Sequence, residues 1–370
     1  MLISDSKIKK YIFTALALIV LALALCAAAI YYVDPFFHYH APLDGFEYVV
    51  DNQLTQNPGM ARHMEYDSVI LGSSMTVNFE TDWFEELMGL KTLKLSYSSA
   101  YPKDISNILS KVYEPKEDGS VREIKKVFLG LDVITYSGDI NETKYPIPKY
   151  LYDKNPLNDI NYLVNKEVLL NYVIKPLVAP EKMNLSHVYA SWWTDEYYNE
   201  EWVLKNHDAI LEPNPVRMEA HEFDKGINAN LDVNIIPFIE EHPETQFVIF
   251  FPPYSILFWN DVIMDNHLEA TLNSYLCVAS RLNKYENVRM YFFPAMEETV
   301  TDLNNYADYT HYHPDVNRYM TQCFVNDDYL IAKAESEGGV SIEEYLLRMK
   351  DILSRYDFEA LRQKLKSYAN

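Results

Sequence analysis

Glycine is scarce in this sequence, 10 residues in 370, and none falls into a G-x-G-x-x-G or G-x-x-x-x-G-K-[ST] pattern. The backbone cradles that nucleotide phosphates need at close approach are therefore missing, and no cofactor is implied. Cysteine is scarcer still: Cys26, Cys277 and Cys323 are too few for a disulfide framework, and no C-x-x-C pair offers a zinc or redox site. Positive charge is short as well. Thirty-two Lys and Arg stand against 54 Asp and Glu, a net charge of −22 that repels phosphate backbones and excludes a nucleic-acid partner. Internal repeats and low-complexity linkers are absent. Apolar residues are plentiful at 48%, with 14% aromatic and 30 tyrosines, enough to bury a substantial core and to line surfaces with rings.

One long run carries no charge at all: Tyr11 to Val33, 23 residues, long enough to cross a bilayer as a tilted helix. Lys7, Lys9 and Lys10 precede it and the next Lys or Arg is Arg62, so the positive-inside rule leaves the N-terminus in the cytoplasm and everything after Asp34 outside. The first 33 residues carry three Lys and one Asp, which leaves −24 on the exported part. A cleaved signal peptide is the competing reading, with Ala27 to Ala29 as its small-residue site, but the apolar run is longer than such peptides need. Leu25 stands where a lipid-modified cysteine at position 26 would want a small neighbour. The aromatic, proline-broken stretch Asp34 to Pro42 fits a collar at the membrane surface.

Beyond the collar the chain alternates. Ser68 to Gly72, Thr92 to Tyr97, Lys125 to Asp132, Gln246 to Phe251 and Val288 to Phe293 are short, apolar and rich in β-branched or aromatic residues, the pattern of buried strands. Helical spacing falls between them, over Pro102 to Tyr113, Leu231 to Glu241 and Val262 to Lys284. Such alternation predicts an α/β fold, a three-layer α/β/α sandwich around a parallel sheet. The rhythm breaks from about 139 to 224, a stretch dense in Tyr, Trp, Asn and Pro that reads as an insertion, either a lid or a partner surface. The expected organisation is a cytoplasmic N-terminus (1–10), an anchor (11–33), one exported domain (34–333) with that insertion, and a helical tail (334–370) opened by a capping box, Ser341 with Glu344.

Two short blocks could carry chemistry. LGSSMTVNF (Leu71 to Phe79) leaves the first strand and places a serine hydroxyl at the sheet's carboxyl edge, where ligand sites of open α/β sheets collect. DYTHYHPD (Asp308 to Asp315) follows the last strand and holds Asp308 three residues before His311. A serine needs a histidine to take its proton, and the histidine needs a partner to fix its tautomer. His313 with His311 and Asp308 would make a metal cluster instead, but no further ligands are apparent in the sequence, and no metal is assigned. Trp192, Trp193, Tyr197, Tyr198 and Trp202 suit either an insertion core or a sugar platform. Arg62 and His63 could meet an anionic substrate or simply be solvated.

The order of the two blocks resembles the SGNH, or GDSL-type, hydrolase superfamily over roughly residues 34 to 330. In that superfamily the third residue of a Gly-Asp-Ser block is the nucleophile, which implies Ser74 here, with Ser73 at the place of the aspartate, His311 as base and Asp308 as its partner. Gly-Ser-Ser and the membrane anchor look like the branch related to the D-alanyl transfer protein of teichoic acid and to polysaccharide O-acetylation proteins. FFPPYSILFW (Phe250 to Trp259) also looks like anchored members, with Tyr254 reaching toward the site. The superfamily's oxyanion hole departs from pattern twice. Ser98 or Ser99 replaces a glycine after the second strand, and Asp132 stands where an asparagine donor is expected after the third. An ionised Asp132 would oppose a developing oxyanion, so it must be protonated or turned toward another group, or the chemistry is altered.

The resemblance implies a membrane-anchored extracytoplasmic serine esterase or O-acyltransferase. Its partners would be an acylated cell-envelope polymer or acyl donor and a membrane-bound O-acyltransferase. The alternative is a catalytically silent accessory protein of such a complex.

Overall fold

The computed structural model describes residues 5–116, 118–333 and 339–368. The first residues of the cytoplasmic segment 1–10 and of the tail 334–370 lie outside the described residues. Five strands form one parallel sheet: β1 (Ser68–Leu71), β2 (Thr92–Lys94), β3 (Lys126–Gly130), β4 (Gln246–Phe251) and β5 (Val288–Phe292). Nearly every strand residue is buried, which is why these segments read as continuous apolar runs rather than alternating ones. The spatial order is β2-β1-β3-β4-β5, with Ser68 paired to both Thr92 and Lys126, and Val127 to Phe247. The chain first runs from β1 to β2 and then jumps back past β1 to β3, so the direction of winding reverses between β1 and β3.

Right-handed crossovers put the helices of opposite winding on opposite faces. Helix α2 (Thr81–Met88) joins β1 to β2 and packs beside α6 (Pro314–Asn326). Helix α3 (Pro102–Val112) joins β2 to β3. On its side lie α4 (Asp224–Asn230), α5 (Leu268–Leu282) and α7 (Ile342–Arg355), with α5 against both others. Adjacent residues of β4 show the two faces: Phe250 meets Phe324 of α6, while Phe251 meets Tyr275 of α5. The α/β architecture with helices on both sides of a parallel sheet is the one expected.

One helix differs from expectation. The run Val262 to Lys284 is two helices, Ile256–Met264 and α5, because Asn266 takes a left-handed backbone (φ 57°) between them. Asparagine tolerates that region where a branched residue would not, so an otherwise unbroken apolar period hides the turn. Half of the expected capping box is seen: Glu344 N–H donates to Ser341 Oγ at 3.2 Å, while the Glu344 carboxylate accepts from Arg348.

The chain divides into two compact units, residues 1–64 with 147–184, and 65–146 with 185–370. The first contains α1 (Asp5–Val33), whose segment Ser6–Val33 is long and apolar enough to span a membrane. The stretch 139–224 is thus shared between the units. Where α1 ends, Asp34 turns the chain with φ 48°, and its carboxylate accepts the amides of His38, Tyr39 and His40 and the Tyr162 hydroxyl. Arg62 donates to the Leu151 and Tyr152 carbonyls in this same unit. The second unit holds the sheet and both chemical blocks.

Candidate active site

The Ser74 loop is built by one glycine and by ties to β2 and to the residues that leave it. Gly72 has φ 149°, and a Cβ there would come within 2.6 Å of the Thr76 methyl, so neither the backbone nor the space admits a side chain. Ser73 then caps the single 3₁₀ turn Ser74–Thr76, its Oγ accepting from Met75 N at 3.2 Å. The Thr76 hydroxyl reaches Ser96 Oγ at 2.7 Å. Lys94, fully buried on β2, donates from Nζ to the carbonyls of Val77 and Phe79, each at 2.8 Å. Burial pushes the Lys94 ammonium down to about 7.

The second block folds around Asp308. Its Oδ1 accepts the backbone amides of Thr310 and His311, both at 2.8 Å, a local turn that asparagine or aspartate can hold. The loop is tied to the exit of β4, where Tyr306 donates to Pro253 O and Ser255 to Tyr309 O, each at 2.6 Å. Tyr312 donates to Met75 O at 3.0 Å and so docks this loop directly on the serine loop.

These constraints bring the three sequence candidates together. His311 Nε2 lies 2.7 Å from Ser74 Oγ, and His311 Nδ1 lies 2.6 Å from Asp308 Oδ2. A carboxylate at Nδ1 assigns the proton to that nitrogen, which leaves the Nε2 lone pair facing the serine hydroxyl. Burial alone would raise the Asp308 carboxyl, but the His311 contacts and the two amides outweigh it and hold the group below its usual range. Trp192, itself at φ 53°, lies over His311 with ring centroids 4.4 Å apart. His313 sits apart: its Nδ1 accepts Asp315 N at 3.1 Å as the cap of α6, and its Nε2 is 3.3 Å from Asp195.

Asp132 and Tyr254 follow β3 and β4 at the same sheet edge. The Tyr254 hydroxyl donates to Asp132 Oδ1, and the Ser73 side chain also bonds this carboxyl. Burial raises the Asp132 pKa, against the pull of those two bonds and of His311. Tyr254 is raised well above the ordinary phenol range by burial and by Asp132, which keeps it a neutral donor. Asp132 is therefore turned toward two hydroxyls. Ser98 and Ser99 occupy the turn that leaves β2, with Ser99 at φ 58° and Ala100 N donating back to Tyr97 O.

Three neighbours of the site escaped sequence reading. Lys94 and Ser96 both looked like residues of the strand Thr92 to Tyr97. Trp192 stood in an aromatic cluster with no sign of which ring would meet the histidine. A cavity of about 410 Å³ lies against Asp308, lined by Val203, Asn206, His207, Asp261 and Tyr309 among others. His207 Nε2 there is 2.9 Å from Asp261.

No known family and no curated protein matches this chain. A solved structure from Streptococcus pneumonia, provisionally described as a platelet activating factor, is similar in fold with a TM-score of 0.38 and 12% identity, covering 75% of this chain and 90% of that one.

Proposed function

We propose that this chain is a serine esterase or O-acyltransferase of the SGNH type, anchored by α1 with its catalytic unit outside the cell, acting on ester groups of a cell-envelope polymer. The observation that carries the reading is the continuous relay Ser74 Oγ, His311 Nε2, His311 Nδ1, Asp308 Oδ2 at 2.7 and 2.6 Å. As Ser74 Oγ bonds to the ester carbonyl carbon, its proton passes to His311 Nε2, and Asp308 stabilises the imidazolium. The tetrahedral oxyanion then collapses, the alcohol leaves with the proton from His311, and an acyl-Ser74 remains. Water or a polymer hydroxyl, deprotonated by His311, attacks the acyl-enzyme and regenerates Ser74.

The amide of Ser74 and those of the Ser98–Ser99 turn are the candidate oxyanion donors. The Asp132 carboxyl is taken up by Ser73 and Tyr254, and burial raises it above the usual carboxylate range. The net charge favours a neutral polysaccharide over a polyphosphate chain.

A fluorophosphonate probe on the full-length protein tests the reading. Labelling that disappears in Ser74→Ala supports it. A folded wild-type protein that never labels would favour the silent accessory role.

A further inference from the structure

Outside α1, exposed aliphatic side chains are scattered over the described residues, with one exception. Between residues 157 and 178 six of them cluster: Leu157, Ile160, Leu170, Ile174, Leu177 and Val178, with Leu157 86% and Val178 76% exposed. Leu170, Ile174 and Leu177 follow one another about one turn apart along the apolar helix Val168–Val178, and Val178 adjoins Leu177 on the same stripe. Val168, Val173 and Pro176 are buried, and both this helix and the short helix Ile160–Leu163 pack on α1 within the first unit.

The contact with α1 fixes a depth. Cys26 Sγ lies 3.7 Å from the Leu163 carbonyl oxygen. Cys26 is 15 residues beyond Tyr11, where the apolar run begins after Lys10. At 1.5 Å per residue that is roughly 22 Å along the helix, in a hydrocarbon core of about 30 Å. The contact therefore falls inside the outer leaflet, and any tilt of α1 lowers it further.

Charge agrees with that depth. Residues 147–184 hold five lysines against four carboxylates, in a chain of net charge −22. Lys166 and Lys175 are exposed beside the apolar stripe. Lysines so placed can lay their stems along acyl chains and raise their ammonium groups to the lipid phosphates.

We propose that residues 157–178 are a second membrane element, an interfacial helix seated in the outer leaflet against α1, its stripe among lipid acyl chains and its lysines at the headgroups. The proposal rests on the reading of α1 as a membrane span. Its occupant is lipid rather than a protein partner, because the stripe continues the exposed apolar surface of α1 at the same depth.

The test uses the full-length chain in nanodiscs of phosphatidylcholine, with and without bromine on the acyl chains. All five native tryptophans belong to the second unit, so each added tryptophan is read as the difference from wild type. Leu170→Trp and Leu177→Trp should each add emission of which roughly half is lost to brominated lipid and little to aqueous iodide, as befits a depth of about 5–10 Å. Leu16→Trp, inside α1, is the reference. If Leu16→Trp is quenched by bromine while Leu170→Trp and Leu177→Trp are quenched only by iodide, the interfacial helix is wrong and the anchor stands. If bromine quenches none of the three, the anchor reading falls and takes the proposal with it.

Discussion

Replacing Asp308 by asparagine changes one atom of the relay and should nearly abolish turnover. Asp308 uses its two oxygens differently: Oδ1 accepts two backbone N–H groups at 2.8 Å, and Oδ2 accepts His311 Nδ1 at 2.6 Å. The two amides demand an acceptor, so the asparagine must keep its oxygen on them and turn its NH₂ toward the imidazole. A donor facing Nδ1 forces the proton onto Nε2, and the nitrogen that should take the Ser74 proton then carries one already. The same tautomer error costs about 10⁴-fold in serine proteases, or roughly 5.5 kcal/mol at 1.36 kcal/mol per decade.

Asp308→Ala is the informative contrast. It leaves the imidazole free to find a water at Nδ1, but it loses the turn's two amide bonds, each worth about 0.5–1.5 kcal/mol of stability. The isosteric variant should thus melt like wild type and react more slowly than the truncated one. The measurement is the fluorophosphonate labelling rate, beside hydrolysis of an activated acetate ester and a thermal melt. An Asp308→Asn protein that labels within tenfold of wild type would refute the assigned tautomer and the relay with it. Because the His311 contacts and the two amides outweigh burial and hold Asp308 below the usual carboxylate range, acid loss of activity from this group falls at lower pH than an ordinary carboxylate would give.

Three other outcomes follow from the same contacts. Ser74→Ala should eliminate labelling, whereas Ser73→Ala, which loses a cap and one bond to Asp132, should retain labelling and cost about 1 kcal/mol of stability; the reverse result would move the nucleophile to Ser73. Asp132→Asn should keep turnover within roughly tenfold and remove any fall in activity that comes with ionisation of this raised carboxyl as pH increases, while a loss of about 10²-fold or more would mean that the acid itself is required. Lys94 has a folded pKa of about 7 against an ordinary 10.5, so the unfolded chain binds the extra proton between those values and stability rises with pH across that window, by up to about 5 kcal/mol. Lys94→Met should erase that rise in chemical denaturation measured from pH 7 to 10, and a difference between the two proteins that does not change with pH would contradict the burial argument.

The five strands were legible because strands buried on both faces are written as unbroken apolar runs, and α1 because its stretch Tyr11 to Val33 carries no charge. The serine and the Asp-x-x-His block could be paired only through their order along the sheet, since their contact spans 237 residues. What the sequence could not show depends on tertiary placement. Lys94 sits in TLKLSY as a polar residue of a strand end, and nothing local says that its ammonium is inside under the Val77 and Phe79 carbonyls. Asn266 breaks a helix whose apolar period continues on both sides. Leu170 and Leu177 are spaced as a core face would be, and only the packing of Val168, Val173 and Pro176 shows that the other face is the buried one.

The two units also divide the charge. The first holds nine Lys and Arg against nine Asp and Glu and nets to zero, so the second carries the whole −22. A neutral unit with a charge-free run over Tyr11 to Val33 and an exposed aliphatic stripe suits lipid, which would exclude an excess of carboxylates from its interior. An acidic unit stays soluble and keeps away from anionic surfaces, yet its triad needs the charge of Asp308 kept local, and the two amides and His311 do so. The winding reversal between β1 and β3 places Ser74 and Asp132 on neighbouring strand ends, which is where a crevice opens in a sheet of this order. Sheet topology therefore sets the position of the serine, and the Asp308 turn sets the direction of its proton.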